Sequence, residues 1–169
     1  MNGLEKFDKS FTQILKVFVT ALCISIALIL FVRVLIRFTP LHFPMSWTDE
    51  VVEWCMAWMI FTASSVIFHD RAHFCVDLLQ TKLKGTRSAV ILNLGITLLG
   101  IVFFAALLCY SIELVIGATQ FSPILKVSMR IPYASIPVNC VIILCYLVRD
   151  LVRDNRKLKT FVVAKPGNP

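Results

Sequence analysis

The sequence predicts an all-α membrane protein with four transmembrane helices, both termini on the cytoplasmic side, and a short amphipathic helix on the cytoplasmic interface. Three observations predict it. First, the chain has 169 residues, of which 58% are hydrophobic and 16% charged, with a mean hydropathy of +0.81. A soluble domain is about 45–50% apolar and about 25% charged. Second, the apolar residues gather into four runs of near-spanning length. Third, the basic residues lie between those runs and divide unevenly. Together these exclude a disulfide-stapled secreted scaffold, a disordered tail and an ordinary cytosolic enzyme. The net charge of +7 does not indicate nucleic acid, because the basic residues flank apolar runs instead of lining a groove.

The first run, Val17 to Val32, carries no charge and is bracketed by Lys16 and Arg33. A span of about 17–35 results when the flanking residues and snorkelling arginines are included. The run is longer than a signal-peptide core and no small-x-small site follows it, so it is expected to stay as an anchor. The second run, Trp54 to Phe68, is short, but its helix is expected to start earlier. Ser46-Trp47-Thr48-Asp49 resembles a capping box with Asp in place of Glu or Gln, and Asp49 and Glu50 favour the positive end of the helix dipole. A helix over 47–68, counted from its cap at Ser46, rises about 33 Å, enough to cross about 30 Å of hydrocarbon. In the following loop Val76, Leu79 and Leu83 recur at i, i+3 and i+7, with Gly85 as a stop, which predicts an interfacial helix over about 74–84. The third span is expected over about 88–112, and the fourth over about 131–148 between Arg130 and Arg149. Pro137 lacks an N–H and frees the Tyr133 carbonyl, so a kink is expected there. No linker or repeat interrupts 1–169, which reads as a single four-helix membrane domain with a frayed end at Lys165-Pro166-Gly167-Asn168-Pro169.

Orientation follows from the basic residues. Thirteen Lys and Arg fall in the N-terminal tail, the middle loop and the C-terminal tail, against four (Arg33, Arg37, Lys126 and Arg130) on the opposite side. The positive-inside rule then puts both termini in the cytoplasm, as an even number of spans requires.

Residues for chemistry are scarce. The outer loops hold no cysteine, there is no C-x-x-C pair, and five of the six cysteines lie in apolar stretches, where thiols behave as small hydrophobes. His42, His69 and His73 sit at span ends or in loops, where no haem can be gripped. Glu50, Glu53 and Glu113 all lie toward the outer surface, not deep in a span as proton-coupled export requires. No phosphate loop or metal-ligand cluster is present, so no catalytic residue, cofactor or metal is assigned and the chain is not read as an enzyme. What remains is packing. Asn93, Thr97 and Gly100, Pro132, Ser135 and Asn139, and Ala21 and Ser25 suit close helix contacts in lipid. Trp47, Trp54 and Trp58 line one face of the second span at i, i+7 and i+11, beside Glu50 and Glu53. These carboxylates are expected to pair with Arg33, Arg37, Lys126 or Arg130, or with a partner subunit.

Trp47-Thr48-Asp49-Glu50, then Trp54 and Trp58, then Arg71-Ala72-His73-Phe74-Cys75-Val76-Asp77-Leu78-Leu79 resemble the signature of the small membrane subunit of TRAP transporters, the DctQ or SiaQ type. That pattern is roughly W-x-[DE]-E, a Trp-rich span, then R-x-G-x-H-hydrophobic-x-V-D. Here Ala72-His73 replaces the usual Gly spacing. The resemblance covers nearly the whole chain. It implies a bacterial inner-membrane, multi-pass scaffold for a large elevator-type subunit, in a symporter that imports an organic acid anion delivered by a periplasmic substrate-binding protein. Sodium coupling is then expected in the large subunit, and overall similarity favours sialic acid over C4-dicarboxylates. The subunit-interface or structural candidates are Trp47, Asp49, Glu50, Glu53, Trp54, Trp58, Arg71, His73 and Asp77. The last three are expected to organise the cytoplasmic turn after the second span. Arg37, His42, Lys126 and Arg130 are candidates for docking the periplasmic protein. The alternative reading is an independent small four-helix transporter or exporter working as a homodimer.

Overall fold

Four long apolar runs in lipid have one way to satisfy their backbone, which is the α-helix. The computed structural model describes residues 2–38, 46–69 and 87–163, with side chains for 8–38, 46–69, 94–153 and 155. Its helices are α1 (Asn2–Phe38), α2 (Trp47–His69), α3 (Arg87–Gly117), α4 (Arg130–Tyr133) and α5 (Ser135–Val163). Four segments are long and apolar enough to cross a membrane: Asp8–Phe38, Trp47–His69, Leu94–Gly117 and Arg130–Arg153. The expected interfacial helix over 74–84, together with Arg71, His73, Asp77, His42 and Cys75, lies outside the described residues.

The helices run past the expected span limits. α1 begins 15 residues before the charge-free run, because loss of charge marks where lipid begins, not where helical hydrogen bonding stops. Leu4, Phe7, Phe11 and Ile14 keep a helical apolar spacing through the charged first turns. α5 likewise continues through Arg153 to Val163. At about 55 Å and about 43 Å, α1 and α5 both exceed the hydrocarbon thickness.

The fourth span is broken where proline requires it. The helix is interrupted at Ala134, between α4 and α5. The Val138 amide still reaches the Ala134 carbonyl at 3.3 Å, and the Ala134 amide reaches the Arg130 carbonyl at 2.9 Å. Pro137 has no N–H to give the Tyr133 carbonyl, so the ladder lacks that rung.

Packing follows the order α1, α2, α5, α3. α3 packs along α5, α5 along α2, and α2 along α1. The two flanking helices are therefore the bare ones. None of the most apolar 18-residue window of α1 is buried, against 39% for the α4–α5 span. The buried apolar cluster is Phe68, Ile143 and Leu147, with Ile101 and Phe104 packed against it. Phe68 and Phe104 meet edge to face with ring centroids 5.0 Å apart. Lipid is as apolar as these side chains, so the cluster holds by close contact and not by escape from water.

Candidate functional site

Three polar clusters tie the helices together, two joining helix ends and one buried between α2 and α5. The first lies where α2 begins. The segment after α3 folds back on itself: Phe121 and Ser128 form an antiparallel bridge, and the Ser122 amide donates to the Val127 carbonyl at 2.8 Å. Lys126 takes φ 52°, a left-handed position that closes this turn. The turn leaves the amides of Ile124 and Leu125 without backbone partners, and Glu50 accepts both, at 3.1 and 3.0 Å. It also accepts from the Ser122 hydroxyl. Glu50 is buried there, and a buried carboxylate is stable only when so bonded. The first turn of α2 thus caps a loop 72–75 residues away. Arg130 Nε closes the base of that loop by donating to the Ala118 carbonyl at 3.0 Å.

Beside this cap, Arg33 of α1 grips Asp49 with both guanidinium nitrogens, the second at 3.0 Å. Both side chains are about half exposed, so the pair orients α1 on α2 more than it stabilises it. The expectation that Arg33 would meet Glu50 or Glu53 is corrected here. Glu50 is already filled by the loop, and Asp49 is the carboxylate that faces α1.

The second cluster is buried between α2 and α5. Ser65 Oγ donates to Asn139 Oδ1 at 2.9 Å, and Asn139 Nδ2 donates to the Ser135 carbonyl at 2.8 Å. Ser65 is 0% and Asn139 1% exposed. Small side chains here let the helices approach and bond, as Ser135 and Asn139 are expected to do. Thr97 is likewise buried, whereas Ser25 is exposed and only returns its hydroxyl to the Ala21 carbonyl at 2.9 Å. Among the described residues its hydroxyl bonds only within α1, so its expected role in helix packing does not appear there.

The third cluster joins the far ends of α1, α2 and α5. Asp8 Oδ2 accepts from Arg149 and lies 3.2 Å from His69 Nε2. Arg149 stacks over the Tyr146 ring at 5.1 Å, the His69 ring meets the same tyrosine at 5.2 Å, and Thr12 Oγ1 is 3.4 Å from its hydroxyl. From the sequence, Asp8, His69 and Arg149 are only charges flanking spans. What could have singled them out is the pairing of unlike charges at the ends of the first and fourth spans, on one side of the membrane.

The remaining candidates are not brought into one site. Trp47 is exposed at the start of α2, and Trp58 is half-buried. Glu53 and Trp54 border a groove of about 230 Å³ between α2 and the α4–α5 break. Arg37, Lys126 and Arg130 are exposed at the same end of the molecule. The five described cysteines are free thiols, four of them exposed or half-buried and Cys140 buried. Residues 26–157 match the model of the family described as tripartite ATP-independent periplasmic transporters, DctQ component. No curated protein and no solved structure matches the chain.

Proposed function

The chain belongs to the DctQ-component family of the tripartite ATP-independent periplasmic transporters, and from that premise we propose that it is the fixed scaffold on which a large elevator-type subunit moves. One observation carries this reading. The polar side chains of three clusters bond to other parts of the same chain: Glu50 to the 118–129 loop and Arg33 to Asp49, Ser65 to Asn139, and Asp8 to Arg149. A substrate path needs polar groups that are free to bind solute, whereas a scaffold needs them locked. The bare apolar flanks on α1 and α3 are the surface that lipid or a large hydrophobic partner covers.

On this reading the termini and the Asp8–Arg149 cluster are cytoplasmic in the inner membrane, and the loop capped by Glu50 faces the periplasm. Thirteen basic residues on the termini side support that orientation. Arg37, Lys126 and Arg130 then border the surface where the substrate-binding protein docks. The cargo is an organic acid anion imported by symport, with coupling in the large subunit, and a sialic acid is favoured over a C4-dicarboxylate on overall resemblance. Co-expression with a large TRAP membrane subunit, followed by purification on a tag carried only by this chain, tests the reading. A stable one-to-one complex is expected. Recovery of this chain alone as a transport-competent homodimer would replace the scaffold with an independent carrier.

A further inference from the structure

The geometry points to a phospholipid site in the groove between α2 and the α4–α5 break, selective for a headgroup that carries a primary ammonium. This inference concerns the chain's own surface and does not depend on the scaffold reading. The groove holds about 230 Å³, below the roughly 300–1,000 Å³ of a site that encloses a whole drug-sized ligand. It therefore fits part of an amphiphile better than a complete solute.

Its polarity runs along the membrane normal. On the α2 wall, Glu53 and Trp54 come first and Phe61 lies about 12 Å deeper along the helix. On the other wall Met129 and Tyr133 come first and Ile136 follows. The end near the loop thus offers a carboxylate with two amphipathic aromatic rings, and the deep end offers hydrocarbon. Tryptophan and tyrosine favour this boundary, where one edge meets headgroups and the other acyl chains.

Charge complementarity selects the headgroup. Glu53 is exposed and makes no ion pair or hydrogen bond among the described residues, unlike Glu50 three residues before it. Its carboxylate can accept from an ammonium, and Trp54 and Tyr133 supply ring faces for the same cation. Arg130 lies one turn before Tyr133 on α4, on the same helix side. Among the described residues only its Nε is engaged, by the Ala118 carbonyl, which leaves the outer nitrogens for a phosphate. A cation and an anion flanking an aromatic groove match a zwitterionic phospholipid. A lone basic side chain from a protein partner would leave Arg130 unanswered.

Native mass spectrometry of the purified full chain tests this, with phosphatidylethanolamine and phosphatidylglycerol of identical acyl chains as probes. The ethanolamine lipid is expected to be retained about tenfold more strongly, as for one charge-assisted hydrogen bond, and Glu53→Gln should remove that preference. Ile136→Trp, which fills the apolar end and leaves the carboxylate, should lower retention of both lipids together. Circular dichroism shows that each variant is folded. Equal retention of the two lipids, or a preference that survives Glu53→Gln, would overturn the proposal. So would a zero-length carbodiimide cross-link from position 53 to a lysine of a co-purified protein in a complex free of bound lipid, since the groove would then belong to that protein's basic side chain.

Discussion

Replacing Ser65 by Ala removes a single hydroxyl from the contact between α2 and α5. The side chain is 0% exposed and its Oγ stands 2.9 Å from Asn139 Oδ1 and 3.2 Å from the Phe61 carbonyl. The Phe61 carbonyl, in the same helix, shares the single hydroxyl proton with Asn139 and does nothing to hold helices together. The bond to Asn139 crosses between helices, and such bonds in membrane proteins average about 0.6 kcal/mol, with a maximum near 1.7. Because Ser65 is fully enclosed and the Asn139 amide would lose its only cross-helix donor among the described residues, the upper half of that range applies, about 1–1.7 kcal/mol. Asn139→Ala removes three heavy atoms and both amide bonds, and leaves a void, so about 2–4 kcal/mol is expected. Asn139→Leu fills the space and removes the orphaned carbonyl, so it should cost less than Asn139→Ala. The assay is reversible unfolding in mixed micelles, run as a double-mutant cycle over Ser65→Ala and Asn139→Leu. The loss caused by Ser65→Ala should shrink by about 1 kcal/mol when Asn139 is already Leu. An identical loss in both backgrounds would refute the claim that this pair bonds across the interface.

Three further outcomes follow from the other clusters. Glu50→Gln replaces an acceptor oxygen with an amide that faces the Leu125 or Ile124 N–H, so the 118–129 loop should open and be nicked by protease faster than in the native chain, and more so in Glu50→Ala; unchanged cleavage would remove Glu50 from its capping role. Asp8→Asn and Arg149→Gln should each raise amide exchange in the first turns of α1, with the double variant no faster than either single; additive increases would show that the two side chains act separately. Lys126→Glu should slow uptake in the assembled transporter at low ionic strength and lose its effect at high salt, as a rim charge does; an equal rate at every salt concentration, with the complex intact, would move docking away from this loop.

The four spans were legible because lipid demands about 20 apolar residues per helix, and that demand is written along the chain without reference to its neighbours. The break near Pro137 was legible for a similar reason, since a missing N–H is a local fact. The acidic first turn of α2 was visible, but its partner was not. Glu50 bonds to Ser122, Ile124 and Leu125, and only the fold of an irregular turn decides which amides there lack backbone acceptors. Arg33 was correctly expected to meet an acidic residue of α2, yet the carboxylate differed by one position, because the helix phase that turns Asp49 toward α1 turns Glu50 toward the loop. Arg149 looked like a marker of orientation, and its pairing with Asp8 depends on α1 being helical nine residues before the uncharged run. The free carboxylate of Glu53 emerged only by contrast with these satisfied neighbours.

On the scaffold reading this chain supports transport without carrying the cargo. Proteoliposome uptake of a radiolabelled sialic acid, driven by an inward sodium gradient with the binding protein outside, tests it most directly when three preparations are compared: this chain alone, the large subunit alone, and the two together. Uptake is expected from the pair, none from this chain alone, and a lower rate or an unstable preparation from the large subunit by itself. Saturable uptake by this chain alone would contradict it.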